Sequence, residues 1–227
     1  MTRKRYSPWR KASENMEQIA ARKTIDASRL PSTLFDASAP IWWGNLLGLI
    51  IETMVFGVLV AVYFSVRMNL SPFPPPQVDV FPVIYNPVPD LTIPTVNLLV
   101  LLLSLIPGIW LDLSARRMDE KMVKILLFFT LAFNIAAVVL RFYEFDALHF
   151  RWDANAYGSI TWTILGMHLL HLIILFCEDI YLLAWTFAKG LDEKAALDLT
   201  VTATYWYWIV GVWVLLYALV FWGPRVL

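Results

Sequence analysis

The sequence predicts an all-α fold: a polytopic membrane helix bundle with five transmembrane helices, a cytoplasmic N-terminal tail and an external proline-rich loop. Three observations carry this reading. Hydrophobic residues make up 59% of the 227-residue chain and the mean hydropathy is +0.62, whereas a soluble domain is usually about 45–50% apolar. The excess falls in runs long enough to cross about 30 Å of hydrocarbon. The basic residues gather on alternate connections, as expected of spans that cross a bilayer back and forth.

Residues 1–40 read as a polar, basic tail, partly disordered, and residues 41–227 as the membrane domain. No apolar core follows the basic start, so no cleavable signal peptide is expected and the first span directs insertion. That span is IWWGNLLGLIIETMVFGVLVAVYFSV, 41–66, with Trp42 and Trp43 where an interfacial aromatic belt would sit. Residues 71–94 carry prolines at 72, 74, 75, 76, 82, 87, 89 and 94. Such density excludes regular helix or central strand and predicts an extended segment on the surface. The second span is TVNLLVLLLSLIPGIWLDL, 95–113, with a kink expected at Pro107-Gly108. The third is 122–145, the fourth 157–188 and the fifth 202–223.

With the N-terminus inside, the inner segments hold eight Lys/Arg in the tail, four in 112–124 and two in 189–203; the outer segments hold Arg67, Arg141, Arg151 and Arg225. This is a positive-inside bias. Formal net charge is zero, so no basic surplus points to nucleic acid. The single cysteine, Cys177, forms no intrachain disulfide. No internal repeat of the transporter kind is visible.

The ionisable groups inside the spans are the candidate site. Glu52 lies ten residues past Trp42, about 15 Å along a helix and so near mid-bilayer. A carboxyl there is expected to be protonated or to face a polar partner. The fourth span contains GMHLLHLIILFCEDIYLLAW, 166–185. At about 100° per residue, His168, His171, Glu178 and Asp179 fall within an arc of about 100°, a polar stripe that must face other helices because lipid does not satisfy it. A metal on His168 and His171 would need one or two further ligands at suitable distances, and His149, the third histidine, falls in a loop. Hydrogen-bonded structural histidines are therefore favoured over a cofactor site. Arg141, Tyr143 and Glu144 close the third span as an expected ion-pair cluster at the interface. The aromatic ending YWYWIVGVWVLLYALVFW, 205–222, includes Trp206 and Tyr207 and reads as a packing or anchoring face. Asn45, Asn97 and Asn134 are expected to hydrogen-bond between helices. No nucleophile–base constellation, phosphate loop or metal motif appears.

In order and spacing these pieces resemble cytochrome c oxidase subunit III, the haem–copper oxidase subunit without a redox centre. The resemblance runs through IETMVFGVLVAVYF, the SPFPPP loop, IPTVNLLVLLLS, RFYEF, AYGSITWTILGMHLLHLII and the aromatic ending, about residues 42–223. The mitochondrial-type subunit has seven spans and the quinol-oxidase branch five, so this chain resembles a divergent five-helix member. Tyr207 and Val210 stand where the family's last motif has His and Asp, and Glu178-Asp179 lies outside the family pattern. The resemblance implies a non-catalytic subunit supporting a terminal oxidase that reduces oxygen with electrons from cytochrome c or quinol and pumps protons. It further implies haem and copper in partner subunit I, subunit II as a second partner, no cofactor in this chain, bound phospholipid, and a bacterial plasma (inner) membrane. Glu52 matches the family's buried glutamate, His168 and His171 its two histidines, and Glu144 the acid before the fourth span. Two other readings remain beside it. One is an accessory subunit of another membrane oxidoreductase, of the nitric oxide reductase or copper monooxygenase type. The other is a small proton-linked transporter using Glu52 and the histidine stripe.

Overall fold

A computed structural model describes residues 38–78 and 81–226. The tail expected over 1–40 therefore lies outside the described residues up to residue 37. The chain forms α1 (Pro40–Asn69), α2 (Thr92–Arg116), α3 (Glu120–Asp146), α4 (Ala156–Lys189) and α5 (Glu193–Tyr217). A π-helical turn (Ala218–Trp222) and a last helical turn (Gly223–Val226) extend α5. All five helices are long and apolar enough to cross a membrane.

Local chemistry sets the ends. Pro40 opens α1, where its missing N–H leaves no partner unsatisfied. The side chains of Asp119, Asn155 and Asp192 accept hydrogen bonds from the backbone N–H of Met122, Gly158 and Ala195 at 3.2, 2.8 and 2.8 Å, capping α3, α4 and α5. Gly190, at φ +80°, takes the chain out of α4 in a conformation that a side chain would strain. A methyl group at Gly158 would lie 2.4 Å from the Arg151 carbonyl oxygen. Gly158→Ala must shift the start of α4 or the preceding loop, and is expected to cost about 1–3 kcal/mol, seen as a lower melting temperature in detergent.

The sequence-based boundaries hold to within three residues for four helices; α5 begins nine residues before the expected 202. Lys194 and Asp198 lower the hydropathy there, yet Ala195, Ala196, Leu199 and Thr200 are buried, so packing carries the helix below the apolar run. α2 continues as helix through Pro107 without interruption. The proline-rich connection carries no regular helix among its described residues. An antiparallel bridge joins Gln77 and Ile84 there, with N–H···O distances of 2.8 and 3.1 Å.

α2 packs against α3 and α5, α3 against α4, and α4 against α5, closing a four-helix ring; α1 lies outside it against α4 and α5. The larger core joins Phe56 and Tyr63 of α1 to Ile164, Leu165, Leu172 and Leu175 of α4 and to Ile209 and Trp213 of α5. A smaller core of Leu111, Ala115, Val123, Leu127 and Leu199 ties the α2–α3 turn to the start of α5. Outside these cores the helices present Leu47, Ile51, Val58, Leu103, Ile106 and Phe128 outward. In water such a surface would be an aggregation face; against acyl chains it is already solvated.

Candidate functional site

Two polar assemblies sit among the spans, and the histidines of α4 belong to different ones. His171 points at α1. Its Nδ1–H donates to the Met167 carbonyl at 2.7 Å, and its Nε2 lies 3.2 Å from Glu52 Oε2. Because Nδ1 already carries a proton, the Nε2–Oε2 contact is a hydrogen bond only when one further proton lies between the two atoms. That proton makes the pair either a neutral acid donating to an imidazole or an imidazolium facing a carboxylate. The His171 ring is enclosed by Phe56 at 5.4 Å, Trp208 at 5.5 Å and Tyr205, stacked at 6.2 Å. Trp208 Nε1–H donates to Thr53 Oγ1 at 2.9 Å, a polar tie from α5 to α1 beside the one from α4. Glu52 keeps 35% of its side chain exposed whereas His171 is almost wholly covered, so the acid forms the outer member of the pair.

His168, one turn earlier, points away from α1 and is fully buried. An Arg141 Nη2–H donates to His168 Nδ1 at 3.0 Å, and His168 Nε2–H donates to the Ile209 carbonyl at 3.2 Å. An arginine has only donors, so the tautomer is settled: the proton is on Nε2. Arg141 is fully buried, is paired with the fully buried Glu144, and its guanidinium lies 3.5 Å over the Trp213 ring. Glu144 accepts a second hydrogen bond from Asn97 Nδ2 at 2.7 Å, and the His168 ring packs on Trp213 at 4.7 Å. α2, α3, α4 and α5 thus each supply a member of one closed network. Arg141 and Glu144, near the end of α3, do form an ion pair, and both are buried within the bundle, where Asn97, His168 and Trp213 are their partners. Tyr143 faces outward and takes no place in the network.

The polar stripe of α4 is divided further. Asp179 is buried, 6% exposed, and accepts from Asn134 Nδ2 of α3 at 3.3 Å. Glu178 is exposed and faces α5, where the Thr202 hydroxyl donates to it at 3.4 Å. Each of the three asparagines singled out in the sequence does bridge two helices; Asn45 Nδ2 donates to the Val201 carbonyl at 3.4 Å. Trp42 and Trp43 pack edge to face at 5.0 Å at the start of α1, with Trp43 exposed. Trp206 and Tyr207 turn toward α2 rather than lipid: Trp206 Nε1–H donates to Ser104 Oγ at 2.9 Å and the Tyr207 hydroxyl to the Gly108 carbonyl at 3.2 Å. The closeness of α2 and α5 at Gly108 makes both bonds reachable. Outside the spans, the hydrogen bond from Arg151 to Asp153 holds that carboxyl below the usual carboxylate range.

Both nitrogens of His168 and of His171 are engaged by protein groups, so neither ring has a free electron pair for a metal ion in this arrangement. Among the described residues no three His, Cys, Asp or Glu side chains are placed to share one. Trp213 and the Asn97–Glu144 bond were not foreseen from sequence. The i, i+4 spacing of Ile209 and Trp213 on α5 is the signal that would have brought them to one face beside His168.

A family model described as cytochrome c oxidase subunit III matches residues 32–224. The chain belongs to the cytochrome c oxidase subunit III family. Similar proteins include cytochrome c oxidase subunit 3 of Hippopotamus amphibius, 29% identical over 183 residues that cover 79% of this chain and 68% of that one. The probable cytochrome c oxidase subunit 3 of Rickettsia bellii (strain RML369-C) is 26% identical over 197 residues, 78% of this chain and 67% of that one. The subunit 3 of Lumbricus terrestris is 26% identical over 183 residues, 79% and 69% respectively. Subunit III is a non-catalytic subunit of a haem–copper oxidase and carries no redox cofactor of its own. The oxidoreductase-accessory and transporter readings are not favoured.

Proposed function

We propose that this subunit III packs on the catalytic subunit I of a haem–copper terminal oxidase, beside subunit II, in a bacterial inner membrane. Haem and copper would lie in the partners, and phospholipid would be bound along the apolar flank of α1. The observation that carries the reading is the family match across nearly the whole described bundle, joined to a buried network in which Asn97, Arg141, Glu144 and His168 hydrogen-bond to one another. The Lys/Arg distribution supports a cytoplasmic α1 start, with the proline-rich loop outside. Affinity capture of the tagged chain from mild-detergent extracts is expected to bring down a haem-containing subunit, while the isolated chain shows no Soret band. A Soret band on the isolated chain, or capture without haem, removes the proposal.

Within the complex we assign Glu52 and His171 the holding of one proton at the membrane-facing edge of the bundle. Glu52→Gln retains an N–H donor toward His171 Nε2 but no acidic proton. It should change stability by less than about 1 kcal/mol, whereas Glu52→Ala strands Nε2 and should cost about 1–3 kcal/mol; thermal melting in detergent separates them. Proton uptake during turnover is expected to fall in Glu52→Gln. Unchanged uptake would restrict the pair to a structural role.

A further inference from the structure

Asp179 has a setting that neither polar assembly explains. Its carboxyl takes one hydrogen bond from the protein, the long one from Asn134, although it is 94% covered. Beside it a narrow cavity leaves about 20 Å³ for the centre of a water molecule, lined among others by Thr130, Thr202 and Trp206. A buried water needs roughly 10–15 Å³ by that measure, and two to four polar partners. The Asp179 carboxyl and the lone pairs of the Thr130 and Thr202 hydroxyls provide them; the hydroxyl hydrogens are donated to the Leu127 carbonyl and to Glu178, and Trp206 Nε1 is already taken by Ser104.

Thr202 also lines a second space, an open groove of about 210 Å³ near the start of α1, whose walls include Ile41, Glu178 and Asp198. The same threonine therefore separates the buried carboxyl from a groove with two acids. The Glu178–Thr202 hydrogen bond spans that boundary. The titratable group acting on Asp179 is Glu178 on its own helix; the groove beyond Thr202 adds Tyr181 of α4 and Asp198 of α5. α2 and α3 line the cavity with Gly108, Leu111 and Thr130, none of which titrates.

We infer that Asp179 is a hydrated, proton-exchanging carboxyl, supplied with water and protons from the Glu178–Asp198 groove past Thr202. A proton leaving Asp179 passes to the cavity water, and that water hands its excess proton to the groove; the return runs in reverse with no net chemistry. Glu178 and Asp198 hold the local proton supply at the mouth, and the Thr202 hydroxyl offers both a lone pair and a hydrogen to the relay. This goes beyond the proposed oxidase role and does not depend on it.

Infrared spectroscopy of the full chain in lipid nanodiscs, labelled with carboxyl-13C aspartate and moved from H2O to D2O, tests it. A protonated-aspartate C=O band is expected that is missing in Asp179→Asn and shifts rapidly on deuteration. Thr202→Val should slow that shift at least roughly tenfold, equivalent to about 1.4 kcal/mol in the barrier. It leaves Asp179 in place, so the test stands even if Asp179→Asn does not fold. Absence of the band, resistance to exchange in the parent chain, or an unchanged rate in Thr202→Val overturns the inference. Haem co-purification is a separate readout, so failure here is distinguishable from failure of the oxidase assignment.

Discussion

Glu144→Leu is expected to destabilise the bundle by about 3–5 kcal/mol, the largest loss among the polar substitutions. The change removes the carboxylate that, among the described residues, is paired with Arg141, a guanidinium with no exposed surface. Its remaining contacts, His168 Nδ1 and the Trp213 face, accept hydrogen or favour positive charge but carry no negative charge of their own. Asn97 Nδ2 would also lose its acceptor. Arg141→Met is expected to be similarly costly, because it leaves Glu144 buried without its cation and frees His168 Nδ1. The double variant Arg141→Met/Glu144→Leu should recover much of the loss, since two uncharged side chains of similar bulk leave no uncompensated charge. Unfolding in mixed detergent micelles measures all three. If the double variant is as unstable as the sum of the singles, the pair is not acting as a unit.

The same network shows how far sequence reasoning reaches in this fold. The spans were legible because about 30 Å of hydrocarbon admits few interruptions; the ends of α1 to α4 followed from where the apolar runs stop. Glu52, Asn97 and Asn134 stood out for the same reason: a polar group in an apolar run has to find a partner. What stayed hidden was the identity of the partner. Angular position on α4 groups His168 with His171, yet one turns to Arg141 and the other to Glu52, since an arc of about 100° is wide enough to touch two different neighbours. The start of α5 was missed because hydropathy sees Lys194 and Asp198 but not the buried alanine face between them. Arg141 was placed at a headgroup boundary by its position near the end of a span. Only the order in which the helices pack reveals that α4 and α5 bring His168 and Trp213 to it.

Trp213→Ala is expected to cost about 3–5 kcal/mol by loss of packing, although Trp213 makes no hydrogen bond with its buried Nε1. The ring is fully buried between Arg141, His168 and Phe221. In a membrane the apolar transfer term is weak, because lipid tails are as apolar as the interior, so the cost arises from the cavity and the lost dispersion contacts. A second contribution comes from Arg141, whose guanidinium would lose a ring face at 3.5 Å, an interaction worth about 2 kcal/mol where water is excluded. Trp213→Phe separates the two contributions. It keeps an aromatic face with a smaller ring and is expected to lose less than half as much stability as Trp213→Ala. Thermal melting of the three proteins in one detergent checks this order. If Trp213→Phe proves as harmful as Trp213→Ala, the indole's size, rather than its face toward Arg141, holds the network closed.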